Sequence, residues 1–182
     1  SLMMIDHPGN SAIEYLWRNR CQFRKVQCTV VNNDERNCAL LQQIVDDCRM
    51  KNVTIKFGDF SELVSAVDTK LTAIWADGCQ RQDTASLAVY KQHLVPGGFL
   101  AFTMPMRPTD ETEARAVIAD RVHDADLFMA SVTGRNYKAH LYQGKSKSSY
   151  MFHVFGTIAP SEPVELERVC RERQRALTKA MQ

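Results

Sequence analysis

Four aspartates in this sequence follow apolar, β-branched runs, which is where strands of a parallel sheet would end. Asp6 follows LMMI, Asp34 follows VQCTVVNN, Asp59 follows VTIKFG and Asp77 follows LTAIWA. A carboxylate only accepts hydrogen bonds, so it suits a ligand that offers hydroxyl or amino groups. In open α/β sheets, ligands gather at the carboxyl ends of strands, and an acid there commonly receives two ribose hydroxyls. Asp34 is therefore a candidate ligand of a nucleoside.

The elements that would position these acids alternate between strand and helix. The pattern after Asp34 places Leu41, Ile44, Val45 and Cys48 at spacings of three and four, as in a helix lying on a sheet. A break at 95–98 precedes a fifth strand, FLAFTMPM, and a helix from Asp110 to about His123 follows. Such alternation predicts a mostly parallel sheet with helices on both faces.

The alternation of strands and helices stops near the end of the chain. Two strand-like runs, 137–143 and 150–158, are joined by GKSKSS, which is too short for a crossover helix. They are therefore predicted to pair as an antiparallel hairpin. We expect residues 1–160 to form one domain, and residues 161–182 to form a charged C-terminal helix that packs on the domain or on a partner.

The composition excludes several classes of protein. The 182 residues are 45% hydrophobic with a net charge of +2, as expected for an ordinary globular domain and too mildly basic to indicate nucleic acid by charge alone. No apolar run is long enough to span a bilayer. The six cysteines form no CxxC pair, so reduced thiols and no metal site are predicted. This indicates an intracellular protein, with cytoplasmic, nuclear and mitochondrial locations not distinguished.

The order of these elements resembles the class I methyltransferases that use S-adenosylmethionine. The resemblance covers about residues 2–158. It depends on four motifs: VVNND ends strand two, GDF ends strand three, ADG ends strand four, and LVPGGFLAF leads into strand five. VNND also looks like the AND-type motif of RNA methyltransferases. The resemblance implies a three-layer α/β/α sandwich, with a mostly parallel seven-stranded sheet in the order 3-2-1-4-5-7-6 and an antiparallel C-terminal hairpin.

The resemblance also implies a role for each matching residue towards S-adenosylmethionine. Asp34 would take the ribose hydroxyls, with Asn33 as the neighbouring alternative. Asp59 would accept from the adenine amino group, and Phe60 would touch the ring. Asp77 would line the methionine end.

The first motif departs from the family's pattern. Asp6 and Gly9 fall where the family places the loop that wraps the cofactor, yet HPGN is short and has one glycine where the family has several. Strand four reads ADGC and lacks the Asn/Asp-Pro-Pro-aromatic signature of enzymes that methylate exocyclic amines. No catalytic residue is assigned by the resemblance.

Several of these residues also have a purely structural interpretation. Asp34 and Asp59 are suited to capping the helices that follow them, although Ser61 is the expected cap of the second helix. For Asp6 the alternative to a cofactor role is a purely structural one. His7 lies in a loop, where a histidine is usually solvated, and Trp75 lies within a strand, which is typical of a core residue. The cluster Arg18, Arg20, Arg24 and Lys25 is either a solvated face or a nucleic-acid contact.

Two functions remain open from the sequence. The first is an S-adenosylmethionine-binding methyltransferase-like domain that acts on RNA or protein. The alternative is a catalytically inactive subunit, a pseudoenzyme, that keeps the fold as a scaffold for a protein or RNA partner. A dehydrogenase would share the early βα units but does not predict the hairpin. The methyl acceptor and the oligomeric state cannot be read from the sequence.

Overall fold

A single mixed sheet forms the middle layer of the protein. The computed structural model describes residues 1–8, 12–76, 84–106, 111–133, 136–143 and 150–158. Within these ranges seven strands pair in the order β3-β2-β1-β4-β5-β7-β6. The strands are β1 (Leu2–Ile5), β2 (Cys28–Asn32), β3 (Val53–Phe57), β4 (Leu71–Ala76), β5 (Leu94–Met106), β6 (Tyr137–Gln143) and β7 (Tyr150–Thr157).

The pairing confirms the predicted topology. Strands β1 to β5 run parallel, whereas β7 is antiparallel to both β5 and β6. In the described ranges the helices are α1 (Ala12–Arg18), α2 (Arg20–Phe23), α3 (Glu35–Asp47), α4 (Phe60–Ser65), α5 (Thr84–His93) and α6 (Glu111–Thr133). The predicted terminal helix at 161–182 lies outside the described residues.

Two hydrophobic cores lie on the two faces of the sheet, as the three-layer prediction requires. One core packs Ile13 and Leu16 of α1 and Leu41 of α3 against strand residues such as Met4 and Val30. The other core lies under α4, α5 and α6 and includes Phe60, Val64, Tyr90, Phe102 and Met129. The sequence pattern predicts that Trp17 shares one face of α1 with Ile13 and Leu16, but the Trp17 side chain is 37% exposed.

Strand β5 begins before the Pro-Gly-Gly segment that was expected to precede it. The pairing shifts register between Leu71, which pairs with Leu94, and Ala73, which pairs with Phe99, so the extra residues form a bulge. Gly97 has φ +77°, and its amide donates to the carbonyl of Ile158 at 3.0 Å. The irregular segment is thus retained in the sheet because hydrogen bonds to the end of β7 hold it.

Helix α6 extends ten residues beyond the predicted end at His123. Its buried positions continue as Val122, Ala125, Met129 and Val132, at spacings of three and four. Asp126 interrupts this apolar pattern in the sequence, but its buried carboxylate accepts a hydrogen bond from the Tyr137 hydroxyl. Among the described helices, none is both long enough and apolar enough to cross a membrane.

Candidate functional site

The predicted acids follow strands whose carboxyl ends meet at one edge of the sheet. Ile5 of β1 pairs with Val31 of β2, and Asn32 of β2 pairs with Phe57 of β3. Asp6, Asp34 and Asp59 follow these strand ends within one or two residues. We call this end of β1, β2 and β3 the carboxyl edge.

Asp6 is buried, and hydrogen bonds with its own loop engage both of its carboxylate oxygens. It is 3% exposed; Oδ1 accepts from the His7 amide at 2.8 Å, and Oδ2 accepts from the Ile13 amide at 3.1 Å. Ile13 lies in the first turn of α1, where backbone amides have no partner within the helix. Asp6 therefore links β1 to α1, which agrees with the structural interpretation of this residue.

Asn32 is the residue at this edge that the sequence analysis missed. Its side chain is 8% exposed; it donates from Nδ2 to the Asp6 carbonyl at 2.7 Å and accepts at Oδ1 from the Asp34 amide at 2.8 Å. Its backbone carbonyl accepts from the Gly58 amide at 3.1 Å. Asn32 thus connects β1, β3 and the loop before α3, and its only signal in the sequence is a polar residue ending an apolar run.

Asp34 caps α3, as its structural interpretation predicted. Its backbone is extended, and Oδ1 accepts from the Asn37 amide at 3.1 Å. The structure gives no described partner to its second oxygen, Oδ2, and both Asp34 and Asn33 are exposed. One carboxylate can cap a helix through one oxygen and still present the other to a ligand, so the two interpretations of Asp34 are compatible.

Asp59 repeats this arrangement at the end of β3. Its Oδ1 accepts from the Glu62 amide at 3.0 Å, which makes Asp59 the cap of α4. Oδ2 again has no partner within the described ranges, and the residue is exposed. Gly58, immediately before it, has φ +146°, a conformation that side-chain-bearing residues rarely adopt.

Phe60 is the first residue of α4, and its ring belongs to the core. It is 6% exposed and packs edge-on against Tyr90, with ring centroids 5.5 Å apart. The tyrosine hydroxyl lies 3.1 Å from the hydroxyl of Ser61. The ring is therefore largely covered by the core, and its expected contact with the adenine ring stays a prediction.

The remaining predicted contacts fall partly outside the described part of the chain. Gly9 and Asp77 lie there, so their cofactor roles stay predictions. Trp75, two residues before Asp77, packs against the core under α1 and α3, in agreement with its expected core position. Its buried indole Nε1 has no hydrogen-bond partner among the described residues.

Two buried thiols lie at opposite ends of β2: Cys38 contacts this network, and Cys28 is the first residue of the strand. Burial raises the pKa of the Cys38 thiol, which donates to the Asn32 carbonyl at 3.4 Å. Burial, and then the negative charge of Asp6, raise the pKa of Cys28 to about 12. The described cysteines, Cys21, Cys28, Cys38 and Cys48, are all free. No group of three or more metal-ligating side chains occurs in the described ranges.

Comparison with solved structures identifies the fold. The chain superposes on an rRNA methylase from Streptococcus thermophilus with a TM-score of 0.53 and 15% identity over 88% of this chain and 87% of that chain. For the N-methyltransferase NodS from Bradyrhizobium japonicum the TM-score is 0.56 and the identity 15%, over 88% of this chain and 86% of NodS. For a putative O-methyltransferase from Klebsiella pneumoniae the TM-score is 0.62 and the identity 13%, over 87% of this chain and 73% of that chain. NodS has also been solved with S-adenosyl-L-homocysteine.

These likenesses confirm the predicted fold class, the Rossmann-like fold of class I S-adenosylmethionine-dependent methyltransferases. No protein-family model matches the chain, and no curated protein matches it significantly in sequence. The sequence identities are low, so these similarities establish the fold and assign no role to individual residues.

Proposed function

We propose that this chain binds S-adenosylmethionine at the carboxyl edge and serves as a methyltransferase-like domain acting on RNA or protein. The observation that carries the proposal is the pair of capping aspartates, Asp34 and Asp59. Each gives one oxygen to a helix and keeps a second oxygen without a described partner. Two acceptors on neighbouring strand ends suit a nucleoside, which offers ribose hydroxyls on one side and an adenine amino group on the other.

Asp34 is the proposed ribose ligand. Its backbone is fixed by the Asn32 side chain, and its Oδ1 is oriented by the Asn37 amide. A ligand would therefore meet a carboxylate whose position is already set, which reduces the entropy lost on binding. Asn33, exposed beside it, remains the neighbouring candidate for the same hydroxyls.

Asp59 and the backbone of Phe60 are the proposed adenine contacts. Because α4 begins at Phe60, the amide of this residue lies in the first turn, where the helix supplies no acceptor. Carboxylate and amide together offer one acceptor and one donor, which fits the amino group and a ring nitrogen of adenine.

Asp6 contributes by positioning. Both of its oxygens hold backbone amides, so its proposed role is to fix the loop that carries Gly9 next to the start of α1. Gly9 would allow close approach of the backbone, and Asp77 would line the methionine end. The cofactor, when bound, supplies an electrophilic methyl group, and the protein's remaining task is to align an acceptor with it.

Calorimetric titration with S-adenosyl-L-homocysteine tests the site. We expect measurable binding, weakened by about 1.5 to 3 kcal/mol in Asp34→Ala, the usual range for hydrogen bonds to a charged group. Asp34→Asn should keep the helix cap, since asparagine caps as well as aspartate, and should still bind more weakly than the native chain. Asp47→Asn, at the other end of α3, is the matched control. Native affinity in both Asp34 variants would refute the ribose assignment.

Absence of binding would instead favour the inactive scaffold. No described feature favours that alternative, because the glycine-poor loop on which it depends lies largely outside the described residues. If neither heat nor a thermal shift occurs at millimolar ligand, the cofactor proposal fails. If the ligand binds, incubation with methyl-labelled S-adenosylmethionine and separate RNA and protein fractions would identify the class of acceptor.

A further inference from the structure

An open groove lies at the opposite end of the same strands from the proposed cofactor site. It is lined by residues of α1 and α2, by Gln27 just before β2, and by the segment between α3 and β3 that includes Met50 and Asn52. Its volume is about 480 Å³. Volumes of about 300 to 1,000 Å³ are typical of ligand sites. We call this feature the amino-edge groove.

The groove is strongly basic. Arg20, Arg24, Arg49 and Lys51 line it and are all exposed, and none of the described lining residues is acidic. In the described part of the chain, Arg18 forms an ion pair with Glu14, but none is recorded for these four cations. Among the described residues their charges are therefore uncompensated, and together they give a concave surface that attracts an anion.

An aromatic side chain lies among these cations. The Trp17 ring is 37% exposed, and the Arg20 guanidinium lies over it, 5.1 Å from the ring centroid. Arg20 also donates from Nη1 to the Trp17 carbonyl at 3.3 Å, which helps to keep the two groups together. Phe23 forms another part of the wall. The groove thus combines fixed positive charge with exposed aromatic surface.

We propose that the amino-edge groove binds single-stranded nucleic acid, with RNA as the form to be tested. Sequence-tolerant binding of single strands combines a basic groove along the phosphates with aromatic groups on which bases stack. Arginine over tryptophan provides both elements at one point of this surface. An acidic protein segment would use the cations but has no comparable use for the exposed indole.

This site is separate from the proposed cofactor site. α3 begins at Glu35, directly after its cap Asp34 on the carboxyl edge, and ends at Asp47, two residues before Arg49 in the groove. Its 13 residues span about 20 Å. A strand held in the groove is therefore anchored away from the reacting edge, and the groove does not hold the methyl acceptor itself. Binding to RNA and binding to S-adenosyl-L-homocysteine can fail independently.

The test is fluorescence anisotropy with a labelled 12-nucleotide oligo(U) RNA at several salt concentrations. The variant Arg20→Gln/Arg24→Gln/Lys51→Gln removes three charges from the groove. The matched control, Arg36→Gln/Lys56→Gln/Lys138→Gln, removes three exposed charges elsewhere. We expect at least tenfold weaker binding for the groove variant only. The plot of log K against log salt has a negative slope, and its magnitude should decrease by about 2, at roughly 0.7 per lost phosphate contact.

A separate variant, Trp17→Leu, tests stacking without changing charge. We expect it to weaken oligo(U) binding about tenfold, which is within the range for loss of one base–aromatic stack. Thermal melting and S-adenosyl-L-homocysteine titration of every variant show whether the fold and the other site are intact. The proposal is overturned if oligo(U) does not bind at low salt, if the control weakens binding equally, or if poly-glutamate competes as well as unlabelled RNA.

Discussion

The two ends of β2 and β3 are each held together by an asparagine, yet they present opposite charges. At the carboxyl edge, Asn32 donates to the Asp6 carbonyl, and the exposed residues Asp34 and Asp59 follow the ends of β2 and β3. At the amino end, Asn52 donates from Nδ2 to the carbonyls of Phe23 at 3.1 Å and Val26 at 2.8 Å. The charged side chains that line the groove beside it are all cations.

The direction of the helices accounts for part of this difference. In a parallel βα arrangement, α3 and α4 begin at the carboxyl edge, where unpaired amides favour acids, and α3 ends at the amino edge, where carbonyls favour cations. Capping explains one oxygen of Asp34 and of Asp59, and Arg49 directly follows Cys48, the C-terminal cap of α3. The second oxygens and the pair Arg20 and Arg24 are not explained by capping, so the proposals of binding depend on them.

The largest effect is expected from removing the carboxylate that holds the carboxyl edge together. Asp6→Ala leaves the part-buried amide of His7 and the buried amide of Ile13 without their acceptor. Each lost partner costs about 1 to 3 kcal/mol, so urea unfolding should show a loss of about 2 to 5 kcal/mol. Asp68→Ala, which removes an exposed acid, should change stability by less than about 0.5 kcal/mol. Equal effects of the two substitutions would contradict the role given to Asp6.

The two asparagines provide a matched comparison of the edges. Asn32→Ala and Asn52→Ala should each lower the free energy of unfolding by about 1 to 3 kcal/mol, because each leaves buried or half-buried backbone groups without a partner. Only Asn32→Ala should weaken S-adenosyl-L-homocysteine binding, since it frees the backbone of Asp34. Asn33→Ala, which changes the exposed neighbour, serves as the control for stability. Calorimetry that finds equal losses of affinity in both variants would remove the distinction between the edges.

A smaller effect is expected from Cys28, the first residue of β2 at the amino end. Burial raises the pKa of this thiol from its ordinary value of 9.0 to about 12, so the unfolded chain loses the thiol proton at lower pH than the folded chain does. The stability contributed by this thiol is therefore complete below pH 9 and declines as the pH rises towards 12.

Comparison with Cys28→Ala isolates this pH effect. The stability advantage of the native chain over the variant should decrease above pH 9 by up to about 1.4 kcal/mol per pH unit. Urea unfolding of both proteins between pH 8 and 10.5 measures it. An advantage that does not change with pH would show that the thiol is not protected from ionisation as the structure indicates.

The comparison also shows what the sequence could and could not predict. The hairpin was predicted correctly because strand patterns and connection length are local signals, and β6 begins and ends at the predicted residues. The sheet order was also predicted correctly, but it came from the resemblance to a known family and not from the strand patterns. The end of α6 was misjudged because Asp126 interrupts the pattern, and its partner, Tyr137, is remote in the sequence. Ser61 was expected to cap α4, but Asp59, two residues earlier, has the extended backbone and the hydrogen bond.

The candidate sites depend on contacts of longer range. Capping by Asp34 follows from its position before a helical pattern, whereas Asn32 acquires its role from Asp6, 26 residues away. The basic cluster was identified in part from Arg20 and Arg24, but Arg49 and Lys51 join it only when α3 has returned the chain to the amino edge. A sequence pattern indicates individual residues, and the fold determines which of them share a surface.

Backbone amide shift mapping by NMR with S-adenosyl-L-homocysteine tests the central claim most directly, because it reports where on the sheet a ligand binds. We predict changes concentrated at the amides of Asn33, Asp34, Asp59 and Phe60, with little change at Arg49 and Asn52. Oligo(U) should give the reverse pattern. Changes at the amino edge with S-adenosyl-L-homocysteine, or no changes at either edge, would contradict the assignment of the cofactor to the carboxyl edge.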